Sequence, residues 1–325
     1  MSDDQKAIFS RAPEIFKNLR REIDKVIVGQ NTAIEQLLVA ILAGGHALLE
    51  SNPGLAKTLL VKTTASCLGL DYSRIQCTPD LMPADITGTT IIEEMDRGKK
   101  FRFEPGPVFS NIVLTDEINR ASPKTQSALL ECMEERQVTV DATTYELASP
   151  FMVMATQNPV EMEGTYPLPE AQRDRFMARV SMGYPDPRSE IDMLAEHAAS
   201  NPLDSITPVA DAALISRLVE VVRTIHVADS VRQYAVDIAN ATRTHGDVRL
   251  GASPRATLHL VRAAKASAAL DDRDHVLPDD LQALAPSVLA HRLILTADAQ
   301  IAGRTTESVV TDILGRLAVP ATARV

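Results

Sequence analysis

The chain has 325 residues and predicts an α/β domain with a parallel sheet, followed by an all-helical domain. Apolar runs of strand length alternate with helical patterns in the first part, which is typical of parallel strands covered on both faces. From about residue 186, apolar residues recur every three or four positions, which is typical of helices. We therefore predict a core of residues 1–185 and a helical lid of residues 186–325. The five expected strands are 46–50, 72–77, 111–116, 151–157 and 176–182.

Local signals place further elements around this sheet. Apolar spacing predicts helices within 5–24 and at 31–43. Ser122-Pro123 predicts another helix start, because Ser caps an N-terminus well and Pro suits the first helical position. Two segments, 88–104 and 137–148, carry β-rich halves around short turns, so we predict that they form hairpins inserted into the core.

Composition weighs against several classes of protein. The net charge of −10 weighs against non-specific nucleic-acid binding, which needs Lys and Arg to neutralise phosphates. The N-terminal MSDDQKAIFSRA has no apolar signal region, and no apolar run approaches the roughly 20 residues that span a bilayer. We expect a cytoplasmic protein without membrane insertion and without a nucleic-acid partner.

The metal-ligating residue types show no metal-binding pattern. Cys67, Cys77 and Cys132 are unclustered, which fits buried apolar side chains in a reducing cytosol. The seven histidines are scattered, without the spacing of a zinc site. The acidic stretch 271–275 is interpreted as a solvated loop before a helix that starts near Pro278.

The stretch LLESNPGLAKTLL, residues 48–60, has the outline of a phosphate-binding loop. Against the pattern G-x-x-x-x-G-K-[ST], Ser51 and Ala56 replace the two glycines, while Lys57 and Thr58 match. Such a loop aims backbone N–H groups at an anion, and its Lys and Thr serve the phosphates and Mg²⁺. The methyl group of Ala56 is harmless provided that its φ is negative. The alternative is an ordinary strand–turn–helix junction.

Two further strands end in polar residues. Asp116 and Glu117 follow a buried apolar run, where the first carboxylate suits Mg²⁺ and the second suits an attacking water. Asn158 follows the next strand, at the edge where α/β sheets bind ligands. These positions favour phosphoryl chemistry over the alternatives of helix-start carboxylates and a simple Asn-Pro turn.

In this order, the residues resemble the AAA+ ATPases of the MoxR family, in the clade with a helix-2 insert. The resemblance covers nearly the whole chain, and Ala before the Lys is common in this family, whereas Ser51 departs from its usual Gly. It implies an AAA+ phosphate-loop core with a five-stranded parallel sheet, β-hairpin insertions (the insert near 88–104) and a helical lid. The matching runs are VIVGQ (26–30), TPDLMPADITGT (78–89), FRFEPGPVF (101–109), DEINRASPKTQSALLECMEERQVT (116–139), ATQNPVEMEGTYPLPEAQRDRF (155–176) and GASPRA (251–256).

The resemblance also implies a role for each matching position. Glu117 corresponds to the catalytic glutamate and Asn158 to sensor 1. Arg175 is our choice for the arginine finger, with Arg173 as its rival, and Arg255 corresponds to sensor 2. Thr58 and Asp116 would hold Mg²⁺. The residues implied to surround ATP are Ile27, Val28, Gly29 and Gln30 at the adenine, and Asn52, Pro53, Gly54, Leu55, Ala56, Lys57, Thr58 and Leu59 along the phosphate loop.

The function implied is Mg²⁺-dependent ATP hydrolysis by a homo-hexamer that remodels or matures client enzyme complexes. A partner with a von Willebrand factor A domain and an unidentified client are expected with it. Three alternatives stay open: a nucleotide-binding scaffold that has lost hydrolysis through Ser51, a magnesium-chelatase-like motor subunit, and a DNA-acting motor. Arg120, three residues after Glu117, is either a surface arginine or a further site residue.

Overall fold

The structure is a computed structural model and describes residues 3–51, 54–95, 98–157, 166–184, 186–196 and 202–320. The strands are β1 Ala47–Ser51, β2 Tyr72–Gln76, β3 Gly88–Met95, β4 Gly98–Pro105, β5 Ile112–Asp116, β6 Gln137–Val140, β7 Thr143–Glu146, β8 Met152–Gln157, β9 Ala178–Met182, β10 Val248–Leu250 and β11 Ile294–Leu295. The α-helices are α1 Asp3–Phe9, α2 Ala12–Asp24, α3 Asn31–Leu42, α4 Lys57–Cys67, α5 Pro83–Thr87, α6 Pro123–Glu135, α7 Glu170–Arg173, α8 Pro187–Glu196, α9 Ala212–Arg223, α10 Asp229–Thr244, α11 Pro254–Leu270, α12 Pro278–Leu289, α13 Ala297–Ile301 and α14 Thr306–Arg316.

The central sheet has five parallel strands in the order β2-β5-β8-β1-β9. The predicted α/β class and its five strands are therefore confirmed. The register aligns Gln76 with Asp116, Glu50 with Gln157, and Ser51 with Met182. As a result, the strands that carry the motif residues end together at the carboxyl edge of the sheet.

Alternate residues of each central strand enter two separate cores. Ala47 and Leu49 of β1 pack with the N-terminal and lid helices, whereas Leu48 packs with α6 and the hairpin side. In β5, Leu114 and Val113 divide in the same way. This two-residue alternation covers both faces of the sheet and explains why the strands read as continuous apolar runs.

The two predicted insertions are hairpins. β3 pairs with β4 and β6 pairs with β7, both antiparallel. The rings of Phe103 and Tyr145 stack with centroids 4.1 Å apart, so each hairpin supports the other. Farther out on β3–β4, Ile92 lies opposite Phe101, and the two are 56% and 72% exposed.

The chain after residue 202 is almost entirely helical, and it packs on the core through α11, which contacts α2 and α3. The start of α12 at Pro278 is confirmed, as is that of α6, whose cap Ser122 accepts from the Thr125 N–H. The boundary at residue 185 stays a prediction. In the described part of the chain, no helix is long and apolar enough to cross a membrane.

The three cysteines are buried, as predicted. Burial raises the pKa of Cys67 and Cys77 to about 12 and that of Cys132 to about 11. The thiols are therefore neutral at physiological pH and act as small apolar side chains. Among the described residues, no group of three or more His, Cys, Asp or Glu side chains is arranged to hold a metal ion.

Candidate active site

The segment between β1 and α4 has the backbone of an anion-binding turn. Gly54 has φ +84°, and a Cβ placed there would meet nothing within 4 Å. Ala56, directly before α4, has φ 54° and ψ 28°. The expectation of a negative φ at Ala56 is therefore wrong. The chain must enter α4 through the left-handed region, which suits Gly and costs Ala about 1 kcal/mol.

Ser51, the other departure from the phosphate-loop pattern, is not the strained position. It lies in β1, paired with Met182 of β9, and is 5% exposed. Its backbone oxygen accepts a hydrogen bond of 3.1 Å from Nζ of Lys57. The lysine thus folds back over the loop, with its charge held beside the strand end.

The loop faces the two carboxylates predicted from sequence. A cavity of about 450 Å³ is lined by Gly54–Leu59 together with Asp116 and Glu117. Asp116 is the last residue of β5, and Glu117 follows with φ 56°. The structure thus brings Lys57 and Thr58 together with both carboxylates at the carboxyl edge of the sheet.

Thr156 on β8 joins the two carboxylate residues. Its hydroxyl donates to Oδ1 of Asp116 at 2.6 Å and accepts from the backbone N–H of Glu117 at 2.8 Å. Thr156 is fully buried. It therefore fixes the orientation of the Asp116 carboxylate and supports the left-handed backbone at Glu117.

Cations already balance the carboxylates. Arg74 on β2 donates to Oδ2 of Asp116 at 2.6 Å. Arg120, left open in the sequence analysis, donates to Oε2 of Glu117 at 2.9 Å. Gln76 approaches the same Glu117 oxygen at 3.4 Å. The arginine after the carboxylate pair therefore belongs to the site.

The segment expected at the adenine lies at the same edge of the sheet. Ile27 is buried, Gly29 has φ 76°, and Gln30 donates to the backbone oxygen of Gly183 at 2.9 Å. Gly183 directly follows β9, the neighbour of β1. Residues 27–30 are thus tied to the strand end beside the phosphate loop.

Arg175 and Arg255 lie elsewhere, at the amino edge of the sheet. Arg175 precedes β9, and Arg255 is in the first turn of α11. Both bind Glu134 of α6, at 3.0 Å from Arg175 and 2.5 Å from Arg255. A five-residue strand spans about 16 Å. Arg175 and Arg255 are therefore separated from Lys57 by about the length of a strand.

A second cavity, of about 280 Å³, lies beside this pair. Its lining is rich in cationic side chains, with Glu134 as the carboxylate among them. Burial and nearby arginines, Arg292 foremost, lower the pKa of His259 in its wall to about 3, so this imidazole is neutral. The polar lining residues are His46, Glu134, Arg136, Arg175, Arg255, His259 and Arg262.

Some predicted site residues are not placed. Asn52, Pro53 and Asn158 lie outside the described residues.

The two finger candidates differ in their contacts. Arg173 ends α7, and its Nε is buried without a hydrogen-bond partner. Arg175, besides its bond to Glu134, donates to the backbone oxygen of Leu130 at 2.7 Å.

Sequence reasoning missed Thr156, Arg74 and Glu134. Thr156 had a usable signal, since it lies near the end of a strand next to the one that ends in Asp116. Arg74 lies on an edge strand outside the matching runs, and Glu134 lies inside the run 116–139, where the resemblance gives it no role. Only the tertiary structure assigns these two residues to the site.

Comparison with known proteins places this geometry in a family. Residues 46–178 match the model of the ATPase family associated with various cellular activities (AAA), and residues 240–313 match the AAA lid domain. Both carboxylates and the phosphate loop lie within the first match. The second match includes Arg255.

Similar proteins extend over nearly the whole chain. An uncharacterized protein of Bacillus subtilis, YeaC, is 48% identical over 92% of this chain and 92% of its own length. Chaperone MoxR1 of Mycobacterium tuberculosis is 44% identical over 92% of this chain and 81% of its own length. A crystal structure of a protein from Cytophaga hutchinsonii, proposed to be an ATPase, has a TM-score of 0.89 at 40% identity and covers 97% of this chain and 98% of its own.

These relatives support a general role as a chaperone-like AAA+ ATPase that binds nucleotide. The sequence resemblance is confirmed, and the protein is an ATPase. With the phosphate-loop cavity at one edge of its sheet and a helical lid over the other, the chain belongs to the MoxR family of AAA+ ATPases.

Proposed function

We propose that the protein hydrolyses ATP with Mg²⁺ in a site completed by a second copy of the chain. One observation supports this above others: Lys57, Thr58, Asp116 and Glu117 face one cavity, while Arg175 and Arg255 lie at the opposite edge of the sheet. A finger at that edge serves a neighbouring copy rather than its own cavity. Repeating this head-to-tail contact gives a closed ring, for which we propose a hexamer.

The phosphates bind at the N-terminus of α4. The N–H groups of residues 54–58 and the helix dipole favour an anion there. Lys57 then exchanges the Ser51 carbonyl for phosphate oxygens.

Magnesium fits the same cavity. The Thr58 hydroxyl and the Asp116 carboxylate offer oxygen donors, which Mg²⁺ prefers, and the remaining ligands are phosphate and water. When bound, the ion neutralises charge on the transferred phosphate. Thr156 would keep the Asp116 carboxylate oriented for this role. Arg74 holds the other carboxylate oxygen and so restrains the side chain from a second strand.

Glu117 orients and deprotonates the attacking water. Its carboxylate is held by Arg120 in this structure, at 2.9 Å, and must leave that arginine to reach water. Asn158, which follows β8, is proposed to contact the γ-phosphate or the water. Arg175 of the neighbouring copy, with Arg255 beside it, stabilises the charge that develops in the transition state.

The work done with this energy is proposed to be chaperone-like remodelling of a client enzyme complex. Support comes from the chaperone named among the relatives. The exposed Ile92 and Phe101 on the β3–β4 hairpin offer an apolar contact for a client. A protein with a von Willebrand factor A domain remains the proposed partner, in the cytoplasm.

The test is Glu117→Gln, with Glu131→Gln as the control, since Glu131 is exposed on the neighbouring helix α6. We expect phosphate release to fall about 10²-fold or more, because the general base is lost, with ATP affinity preserved. The control keeps wild-type turnover. Equal turnover in Glu117→Gln and wild type would favour another base, and no hydrolysis in the wild type would favour the scaffold alternative.

A further inference from the structure

One arginine of the lid is buried inside the core at the amino edge of the sheet. Arg292 ends the 3-10 turn after α12, and its side chain is 2% exposed. Burial lowers its pKa to about 10, with the Asp174 carboxylate opposing the effect, so it is charged at neutral pH. A buried charge of this kind persists only when its hydrogen bonds are satisfied.

The bonds of Arg292 converge on the segment that carries the finger candidates. Nε donates to the Asp174 carboxylate at 2.9 Å. The remaining acceptors are the backbone oxygens of Asp174 at 3.1 Å, Phe176 at 2.6 Å, Met177 at 3.3 Å and Val288, and Nδ1 of His259 at 2.6 Å. The guanidinium thus fixes the backbone directly before and after Arg175.

The same carboxylate also holds the start of α11. The Ser253 hydroxyl donates to both oxygens of Asp174, at 2.9 and 3.0 Å. Ser253 caps α11 through the N–H of Ala256, and Arg255 lies in that first turn. Asp174 therefore precedes Arg175 in the chain and also binds the cap of α11, the helix that carries Arg255.

The consequence is a single rigid unit built from distant parts of the chain. Asp174 lies between the two finger candidates in sequence, and Arg292 comes 118 residues later. Their ion pair fixes the distance between Arg175 and Arg255, which meet at Glu134. Neither Arg292 nor Asp174 faces the phosphate-loop cavity, whose lining lies at the other edge.

We propose that Arg292 and Asp174 are positioning residues that hold Arg175 and Arg255 in the geometry required by the nucleotide site of the neighbouring copy. This proposal rests on the proposed hydrolysis across a subunit interface. It goes beyond attachment of the lid, because it assigns the pair an effect on another subunit's site.

The variant is Arg292→Lys, which keeps the charge and loses the planar fork that reaches several acceptors at once. The matched control is Arg273→Lys, since Arg273 makes a two-bond contact with Asp280 inside the lid, at 2.6 and 2.8 Å. We expect Arg292→Lys to lower turnover at least about tenfold, with ATP affinity within about twofold of wild type. The control should keep both.

Mixing separates a positioning role from a structural one. Subunits with Glu117→Gln keep an intact finger, and subunits with Arg292→Lys keep an intact phosphate loop. In mixed rings, an intact site meets an intact finger at about one interface in four. We expect an equal mixture to recover about a quarter of the wild-type rate, as we do for Arg175→Ala mixed with Glu117→Gln.

Each outcome has one interpretation. Recovery of the hydrolysis rate with both Arg292→Lys and Arg175→Ala, each mixed with Glu117→Gln, supports the proposal. Recovery with Arg175→Ala alone overturns it, because the Arg292 defect then lies within its own subunit. No recovery with Arg175→Ala refutes the interface site itself, and with it both proposals. Wild-type turnover in Arg292→Lys also overturns the inference. If that variant does not fold, Asp174→Asn, which keeps the side-chain shape, takes its place in the same mixtures.

Discussion

The two edges of the central sheet are built differently. At the carboxyl edge, residues from strand ends and one loop face an open cavity, and all of them belong to short sequence motifs. At the amino edge, α6 binds Arg175, while the cap of α11 and the turn after α12 bind the preceding residue, Asp174; these elements are far apart in sequence. Under the proposed function, the first edge would bind nucleotide from solvent, and the second would present Arg175 to a neighbouring copy.

The largest expected effect is a loss of turnover without a loss of ATP affinity, and it distinguishes the amino edge from the carboxyl edge. Arg175→Ala should lower turnover about 10³-fold or more, because a finger stabilises transition-state charge, while ATP affinity stays near wild type. Lys57→Ala should instead lower ATP affinity first. Nucleotide titration and phosphate release measure the two quantities. If Arg173→Ala shows the turnover loss and Arg175→Ala does not, the finger role moves to Arg173.

The next effect concerns His46, a buried residue of the amino edge. Its Nδ1 accepts from the Val153 N–H and its Nε2 contacts the Met133 carbonyl, both at 3.0 Å, so the ring is neutral. Burial lowers its pKa from 6.5 to about 4. As the pH falls, His46 binds a proton in the unfolded chain before it does so in the folded protein. The free energy of unfolding therefore falls by up to about 3 kcal/mol between pH 6.5 and pH 4.

Urea unfolding between pH 7.5 and 4.5 measures this dependence. We expect His46→Gln to be less stable than wild type at pH 7.5, with a shallower fall of stability in acid. Phosphate-loop residues should not change this slope, so Lys57→Ala serves as the control. Parallel curves for wild type and His46→Gln would assign the pH dependence to other groups.

A smaller effect is expected from Thr156→Val at the carboxyl edge. The substitution keeps the side-chain shape but removes the bond to Asp116 and leaves the Glu117 N–H unpaired. Turnover and Mg²⁺ affinity should fall about 10- to 100-fold, as is typical when the support of a metal ligand is removed. Titration of activity with Mg²⁺ measures both. An unchanged magnesium midpoint would show that Asp116 is oriented without Thr156.

The smallest effect is expected at the loop itself. Ala56→Gly should raise the free energy of unfolding by up to about 1 kcal/mol, because Gly adopts positive φ without steric cost. Ser51→Gly should not stabilise the protein, since Ser51 is buried in a regular strand. Thermal unfolding of both variants compares them. Stabilisation by Ser51→Gly alone would place the strain at the strand end.

The four chemical residues of the carboxyl edge could be predicted from sequence because each belongs to a local motif, whereas Arg74 and Thr156, which contact Asp116 from other strands, were missed. A strand, a turn and a helix start define Lys57 and Thr58, and one strand end defines Asp116 and Glu117. The sign of φ at Ala56 could not be predicted, since the surrounding turn sets it. The contacts of Glu134, Asp174 and Arg292 depend on how the lid packs against the core, and neither periodicity nor spacing encodes that packing.

Glu134 binds both Arg175 and Arg255 in the isolated subunit. Its single negative charge offsets one of the two positive charges, so the pair keeps a net charge of about +1. If rings form as proposed, Arg175 and Arg255 exchange the Glu134 carboxylate for a phosphate of the neighbouring copy's nucleotide during assembly. Assembly should then depend less on salt concentration than it would if both arginines lacked a protein counter-ion. Fewer ions from solution are displaced when the subunits meet.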